Sequence, residues 1–407
     1  MRNITVSVTS IARIQHRRGA KTDLPLSLYE GEFGWCLDTR ELYIGNGLPF
    51  TGNTQILTEF SSVGDVVEIQ WNTISKNVSA GIQRSLAAKL NDSASVQDFG
   101  AIADGTTDNA PLINNAIAAL FGTTGARTSI EQNTQVTLRL PAGVYNIKSP
   151  LLLYPNLNLI GDGPNNTIIL VSDNSMTYAV ETADSKGQTD ANIGGTGGDL
   201  PANISVKNLT INTNGYKIDA VHLTRYRRVQ FENVEFIGGY VPGAGGDLGL
   251  YPNAAVVLAT SGAAVPIYDA SFTRCKFSNF TYVIYANDPV SNTVLHLNTI
   301  DLCWRGLNFG EFPVDNGPSG TILMGNKFTN LDSWAIFLQS SNPGISSMGN
   351  IYTNIGVAES TQTINWDVGT NGCSSMGEFF STSPAIADAG TGNIILNSQE
   401  NNQSSWP

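Results

Sequence analysis

The sequence predicts an all-β chain whose larger part is a solenoid of short strands, and three observations predict it. Charged residues make up only 14% of the 407 residues while glycine reaches 41, the composition of short strands joined by polar uncharged turns. From about residue 200 one pattern recurs. FENVEF (Phe231–Phe236), FTRCKFSN (Phe272–Asn279), LHLNTIDL (Leu295–Leu302), ILMGNKFTN (Ile322–Asn330), ISSMGNIYTN (Ile345–Asn354) and CSSMGEFF (Cys373–Phe380) superimpose. Their anchors fall at Phe236, Phe277, Ile300, Phe328, Tyr352 and Phe380, mostly about two dozen residues apart, the length of one solenoid repeat. Upstream, Thr137–Leu170 breaks at Pro, Gly and Asn into short strands with no two-residue hairpin loops, as strands do when each turns a corner into the next face.

The elements follow in order. Residues 1–62 read as a separate β-module with strands at Ile4–Val8, Ile11–His16, Gly34–Asp38 and Glu41–Ile44. Residues 63–92 read as a linker carrying a short helical neck, because Ile82, Leu86 and Leu90 repeat at i+4 with Arg84 and Lys89 between them. A helix this short is marginal alone; its stripe faces either copies of itself about a symmetry axis or its own domain. Residues 93–380 form the solenoid, with Ala110–Leu120 as a helix, and 381–407 close it. Phe277-Ser-Asn279, Phe328-Thr-Asn330 and Tyr352-Thr-Asn354 share F/Y-x-N. Asparagine tolerates left-handed backbone and hydrogen-bonds along a stack, which predicts an asparagine ladder at one corner.

Two stretches carry family resemblances. Arg13–Gly19 (RIQHRRG), Glu30–Thr39 (EGEFGWCLDT) and Leu42–Gly47 (LYIGNG) resemble, in that order, the small N-terminal β-modules of bacteriophage tail-fibre and tropism-determinant proteins. An ordinary hairpin domain is the alternative. VQDFGAIADGTTDNAPLINNAI followed by LRLPAGVYNIKSPLLLYPNLNLIGDG is similar to the start of the pectate-lyase-like right-handed β-helix of phage tailspikes and capsule depolymerases. The chief departure is Ala103, where that family usually has glycine. The resemblance implies a right-handed parallel β-helix, a homotrimer, and an N-terminal helix that caps the first coil. The Gly-Asp-rich turn before that helix is not a phosphate loop, since no lysine follows Gly105.

Composition excludes several functions. A net charge of −12 argues against nucleic-acid binding, which needs a basic face. Cys36, Cys275, Cys303 and Cys373 are far apart and make no C-x-x-C pair, so buried free thiols are expected rather than a zinc site or a disulfide framework. No metal or cofactor is expected. The N-terminus has no signal-peptide core and no run of 18 apolar residues occurs, which predicts a soluble chain without membrane insertion, not secreted by that route.

A solenoid has no single pocket, so a site is built across coils or between subunits. Aligned after the strand of each repeat, Asp288 and Glu311 fall in one column on neighbouring coils. Strands lie about 4.8 Å apart and a retaining glycosidase holds its carboxyls about 5–5.5 Å apart, so this is the candidate catalytic pair. Stacked columns also produce chance acid pairs, and Asp219, Asp301, Asp315 and Asp332 are the alternatives. Arg225, Tyr226, Trp304 and Arg305 are the candidate substrate-binding residues, with Tyr240, Tyr251 and Trp334 as further aromatics and Arg227 and Arg228 as further cations. His222 and His296 read as core or stacking residues. The glycine-rich Gly238–Asn253 stretch, which lengthens one interval to 41 residues, either shapes a binding groove or is a spacer; Ser185–Ala202 has the same ambiguity.

Two functions from different classes fit. One is a virion tailspike that binds and depolymerises host surface polysaccharide, capsule or lipopolysaccharide, by hydrolysis in preference to elimination. The other is a non-catalytic receptor-binding fibre or structural appendage. In both, residues 1–62 attach to phage tail or baseplate proteins, and the protein belongs to the virion after assembly in the host cytoplasm.

Overall fold

The computed structural model describes residues 17–47, 52–56, 68–70, 83–85, 94–121, 136–182, 202–224, 226–244, 253–259, 267–286, 290–309, 320–338, 344–356, 363–381, 386–396 and 399–400. The chain divides into two compact units, Met1–Asp92 and Ser93–Pro407.

In the first unit, Arg17–Gly19, Phe33–Cys36, Glu41–Gly45 and Asn53–Ile56 form a four-stranded sheet in that order. The first pair is parallel and the other two antiparallel. The quoted motif residues hold its turns. The Asp38 carboxylate accepts the Lys21 and Thr39 amides at 2.9 and 3.0 Å, and Lys21 pairs with Glu41 at 2.7 Å. A Cβ on Gly45 would lie 2.0 Å from the Tyr29 carbonyl oxygen, so only glycine fits where the Leu28–Tyr29 backbone crosses the strand. The strands expected at Ile4–Val8 and Ile11–His16 lie outside the described residues.

The helical neck is corrected at one place only, the rest of the stretch expected to be helical lying outside the described residues. Within it, Gln83–Ser85 is a strand, paired antiparallel with Glu68–Gln70. One or two turns of helix satisfy few backbone groups at a large entropic cost, whereas cross-strand pairing gives these three polar residues partners directly. Ile82, Leu86 and Leu90 themselves lie outside the described residues.

The second unit is a right-handed parallel β-helix. Each coil contributes a strand to each of three ladders. The first ladder starts at Ala94–Ser95 and runs through Val136–Leu140, Leu157–Gly161, Ala202–Asn212 and Arg227–Ile237 to Ile394–Leu396; the second starts at Asp104–Asp108 and runs through Gly143–Ile147 to Gln399–Glu400. Long strands that bend from one to the other join them into a 21-stranded sheet. The third ladder has nine strands, from Leu151–Leu153 to Ile386–Asp388. Strands Ile386–Asp388, Ile394–Leu396 and Gln399–Glu400 add a coil, so the solenoid continues past Phe380, where the repeat pattern in the sequence stops.

The anchors form one interior column. Phe236 pairs with Phe277, Phe277 with Ile300, Ile300 with Phe328, Phe328 with Tyr352 and Tyr352 with Phe380, and all are buried. Parallel in-register pairing puts like residues above one another, so the rings stack. Phe236 and Phe277 lie 4.8 Å apart and 4° from parallel; Tyr352 and Phe380 lie 5.0 Å apart. Asn279, Asn330 and Asn354 take left-handed φ of 61°, 51° and 52°, and Asn354 donates to Asn330 at 3.0 Å, as the F/Y-x-N pattern predicts. A second, buried ladder lies two residues before the anchors. The Asn298 amide and Nδ2 donate to Asn326 Oδ1, those of Asn326 to Asn350 Oδ1, and those of Asn350 to the Glu378 carboxylate.

The Gly-Asp-rich turn caps the solenoid. Asp104 accepts the Thr106 and Thr107 amides at 2.8 Å, which holds its carboxyl well below the usual carboxylate range. Asn109 bridges Ile102 and Thr107 and begins helix α1, Ala110–Phe121. The helix buries Ala110, Ile113, Ala116 and Ile117 in one core with Leu138, Tyr145 and Leu151, covering strands at the end of the first coil. A Cβ on Gly143 would sit 2.4 Å from the Ala103 Cβ, so alanine at 103 is tolerated only because 143 is glycine. All four cysteines are free and buried.

Candidate functional site

The outer face of the third ladder carries the candidate site. In register, Val180, Val221, Val256, Ile284, Leu307 and Ile336 point inward as core. The neighbouring column, Glu181, His222, Val257, Tyr285, Asn308 and Phe337, therefore faces out. Beside it Tyr240, Ala254, Val257, Tyr282 and Trp304 make an apolar cluster separate from the main core, with Tyr285 against it.

Arg305 is the centre of this face. Its guanidinium carbon lies 3.9 Å from the Trp304 ring and 4.4 Å from the Trp334 ring, with Phe337 at 5.1 Å and Tyr282 at 5.9 Å. Nη1 donates to Asn308 Oδ1 at 3.0 Å. Arg305 is 8% exposed and Trp304 4%, while Trp334 is half-buried and its indole nitrogen has no hydrogen-bond partner. A planar cation packed on two indoles is held rigidly, and the partly exposed Trp334 and Tyr285 are the rings of this group that a sugar can reach. Trp304, Arg305 and Trp334, all expected as ligand-binding residues, are thus brought together.

Two buried carboxylates flank the cluster. Asp332 accepts the Tyr240 hydroxyl at 2.5 Å and the Gly243 amide at 2.6 Å, which ties the start of the glycine-rich excursion to a coil several repeats further on. Asp219, at the head of strand Asp219–Thr224, accepts the Ala254 amide at 2.7 Å. Burial pushes its pKa up to about 7, so it is partly protonated at neutral pH. His222 stacks on Tyr178 with centroids 4.2 Å apart, and burial lowers its pKa to about 4, the stacking role expected for it.

The remaining predicted residues fall differently. Tyr226 is a correction: it is fully buried in the main core and its hydroxyl has no partner, because the chain turns inward at the corner before strand Arg227–Ile237. It cannot reach a ligand. Asp288, Glu311, Arg225, Asp315 and Tyr251 lie outside the described residues. The strands leading to the acids, Tyr282–Ala286 and Arg305–Phe309, pair Ala286 with Phe309, the register on which the pair was aligned. Sequence reasoning missed Asn308, Phe337 and Tyr285; the signal was their shared column, legible only once the register of the third ladder is known.

Residues 93–308 match the rhamnogalacturonase A/epimerase, pectate lyase-like family, and the chain belongs to it. Residues 14–48 match the major tropism determinant N-terminal domain. No curated protein matches the chain in sequence. Among solved structures, a tailspike mutant of E. coli bacteriophage HK620 in complex with a hexasaccharide is similar at TM-score 0.56 and 12% identity, over 82% of this chain and 60% of that one. A double mutant of the same tailspike in complex with a pentasaccharide gives TM-score 0.54 and 13% identity, over 79% and 56%. An ORF18 protein of Geobacillus virus E2 gives 0.46 and 13%, over 94% and 74%. The chain thus shares the tailspike fold and spans about three fifths of the HK620 chains it matches.

Proposed function

We propose that this protein is a bacteriophage tailspike or tail fibre that binds host cell-surface polysaccharide, capsule or lipopolysaccharide, along the outer face of its third ladder. The observation that carries the reading is Arg305 held between Trp304 and Trp334 on the outside of a β-helix. Solenoid exteriors are ordinarily polar, and an aromatic-cationic surface across successive coils matches the repeating rings of a glycan. The saccharide complexes of the HK620 tailspike support the ligand class. The tropism-determinant-like module supports attachment to the phage tail or baseplate through residues 1–62, after assembly in the host cytoplasm.

The protein acts as a homotrimer in this proposal. In support, the C-terminal coils expose an apolar column, Met324, Met348 and Leu396 on the first ladder, in register with one another through Met376, and Ile351 and Phe379 on the second. Contiguous exposed apolar surface of this kind marks association. Light scattering giving a monomer mass would remove this part of the proposal.

The binding test is pull-down of purified protein on lipopolysaccharide and capsule from candidate hosts. Binding to one of them that is lost in Trp304→Ala supports the reading; binding unaffected by that change refutes the site. Cleavage is assigned to Asp288 and Glu311, with the Ala286–Phe309 register as support. New reducing ends that vanish in Glu311→Gln support hydrolysis, and full activity in both Glu311→Gln and Asp288→Asn excludes the pair. Binding without any new reducing ends in the unmutated protein favours the non-catalytic receptor-binding reading.

A further inference from the structure

A second site lies on the outer face of the first ladder, away from the aromatic cluster. One corner of the solenoid is formed by residues that all take left-handed φ: Asn156 at 60°, Asn203 at 58°, Arg228 at 56°, Asp269 at 60°, Asn292 at 56° and Gly320 at 67°. Asparagine, aspartate and glycine are the residues that tolerate this conformation; a long side chain there is strained. Arg228 is the exception at this corner, although Arg274, Leu297 and Leu302 take the same conformation at others. It also interrupts a ladder, since Asn203 donates to Asn156 at 2.9 Å and Asn292 to Asp269 at 3.0 Å, whereas exposed Arg228, between the two pairs, makes no hydrogen bond or ion pair among the described residues.

The break in the ladder coincides with a pocket of about 410 Å³, lined by Asn203, Ser205, Arg228, Gln230, Asp269 and Asn292 among others. Ser205 is only 7% exposed, yet its hydroxyl has no hydrogen-bond partner. A buried orphan hydroxyl in this pocket, beside a cation without a partner among the described residues, points to a ligand rather than to the fold.

We propose that this pocket is a second glycan subsite that binds a carboxylated sugar unit, with Arg228 on the carboxylate. Amides and hydroxyls that both donate and accept suit sugar hydroxyls. The volume falls in the range of small-ligand sites. Arg228 favours an acidic unit, because an arginine fork binds a carboxylate in two bonds and a local cation offsets the repulsion that a chain of net charge −12 otherwise exerts on a polyanion. Asp269, with one oxygen committed to Asn292, keeps the other for a sugar hydroxyl. The class of ligand rests on the glycan reading above; the site does not.

The test uses the full chain and two monosaccharides, D-galacturonate and D-galactose, titrated by ligand-observed NMR. Galacturonate saturates, and galactose binds about tenfold more weakly or worse. Arg228→Asn loses galacturonate binding by a similar factor while its melting temperature is unchanged or higher, because asparagine accepts the left-handed corner and restores the amide column. Trp304→Ala leaves galacturonate binding intact. Failure of galacturonate to saturate, or equal affinity in Arg228→Asn, overturns the subsite. If the subsite fails while host polysaccharide still binds through Trp304, the third-ladder reading stands alone; if polysaccharide binding fails while galacturonate binds through Arg228, the subsite stands alone.

Discussion

Replacing Asp219 by asparagine removes a buried carboxylic acid while keeping an oxygen to accept the Ala254 amide at 2.7 Å. Burial raises the Asp219 pKa from 3.8 to about 7. Between those values the unfolded chain has released the proton and the folded chain still holds it, so stability falls as pH rises from 3.8 to about 7 and is level above. At about 1.4 kcal/mol per pH unit the full effect is about 4 kcal/mol. His222 slopes the other way. Its pKa falls from 6.5 to about 4, so the unfolded chain takes up a proton first as pH drops below 6.5, and stability is lost towards pH 4 by about 3 kcal/mol. In the unmutated protein the two slopes largely cancel between pH 4 and 6.5. Asp219→Asn removes one of them. The variant should match the unmutated protein near pH 4 and exceed its stability by about 4 kcal/mol at pH 8. For a unit spanning Ser93–Pro407, at about 2 cal/mol/K per residue, that is about 6 °C in melting temperature. Differential scanning calorimetry of both proteins from pH 4 to 8 measures it. A difference that does not change with pH would show that Asp219 ionises normally in the fold and refute the reasoning.

Phe328→Ala, which opens a hole in the stacked column between Ile300 and Tyr352, should cost about 3–5 kcal/mol; equilibrium or kinetic unfolding in denaturant reports it, and a loss below 1 kcal/mol would contradict the column. Asn326→Ala leaves the buried Asn298 amide without its acceptor and removes the side-chain donations of Asn326 to Asn350 Oδ1 and the Leu295 carbonyl. At about 1–3 kcal/mol per unsatisfied group, it should destabilise more than Asn330→Ala on the exposed ladder, a ranking that thermal melts decide. Asp332→Ala removes the acceptor of the Tyr240 hydroxyl and the Gly243 amide; hydrogen exchange at Gly243 should then speed up without change at Phe328.

Sequence alone determined the interior. The anchors Phe236 to Phe380 recur because each coil buries the same position, so a local repeat encodes a long-range column without any knowledge of the fold. The cap was legible for a similar reason, since Asp104, Asn109 and Gly143 satisfy or clear backbone within a few residues or one coil. Gln83–Ser85 was misread because an i+4 apolar stripe of nine residues does not state what it packs against, and pairing with Glu68–Gln70 is a non-local choice. Tyr226 was misread because periodicity fails at corners, where one residue of twist sends a side chain into the core. The buried asparagine ladder was missed although Asn298, Asn326 and Asn350 sit at a fixed offset from the anchors; asparagine reads as a turn residue until stacking supplies its partners. Only the tertiary structure placed Arg305 between Trp304 and Trp334 and put Arg228 in a column of asparagines. Trp334 lies on a different coil from Arg305, as the asparagines do from Arg228, and the register between coils depends on loop lengths that no single repeat contains.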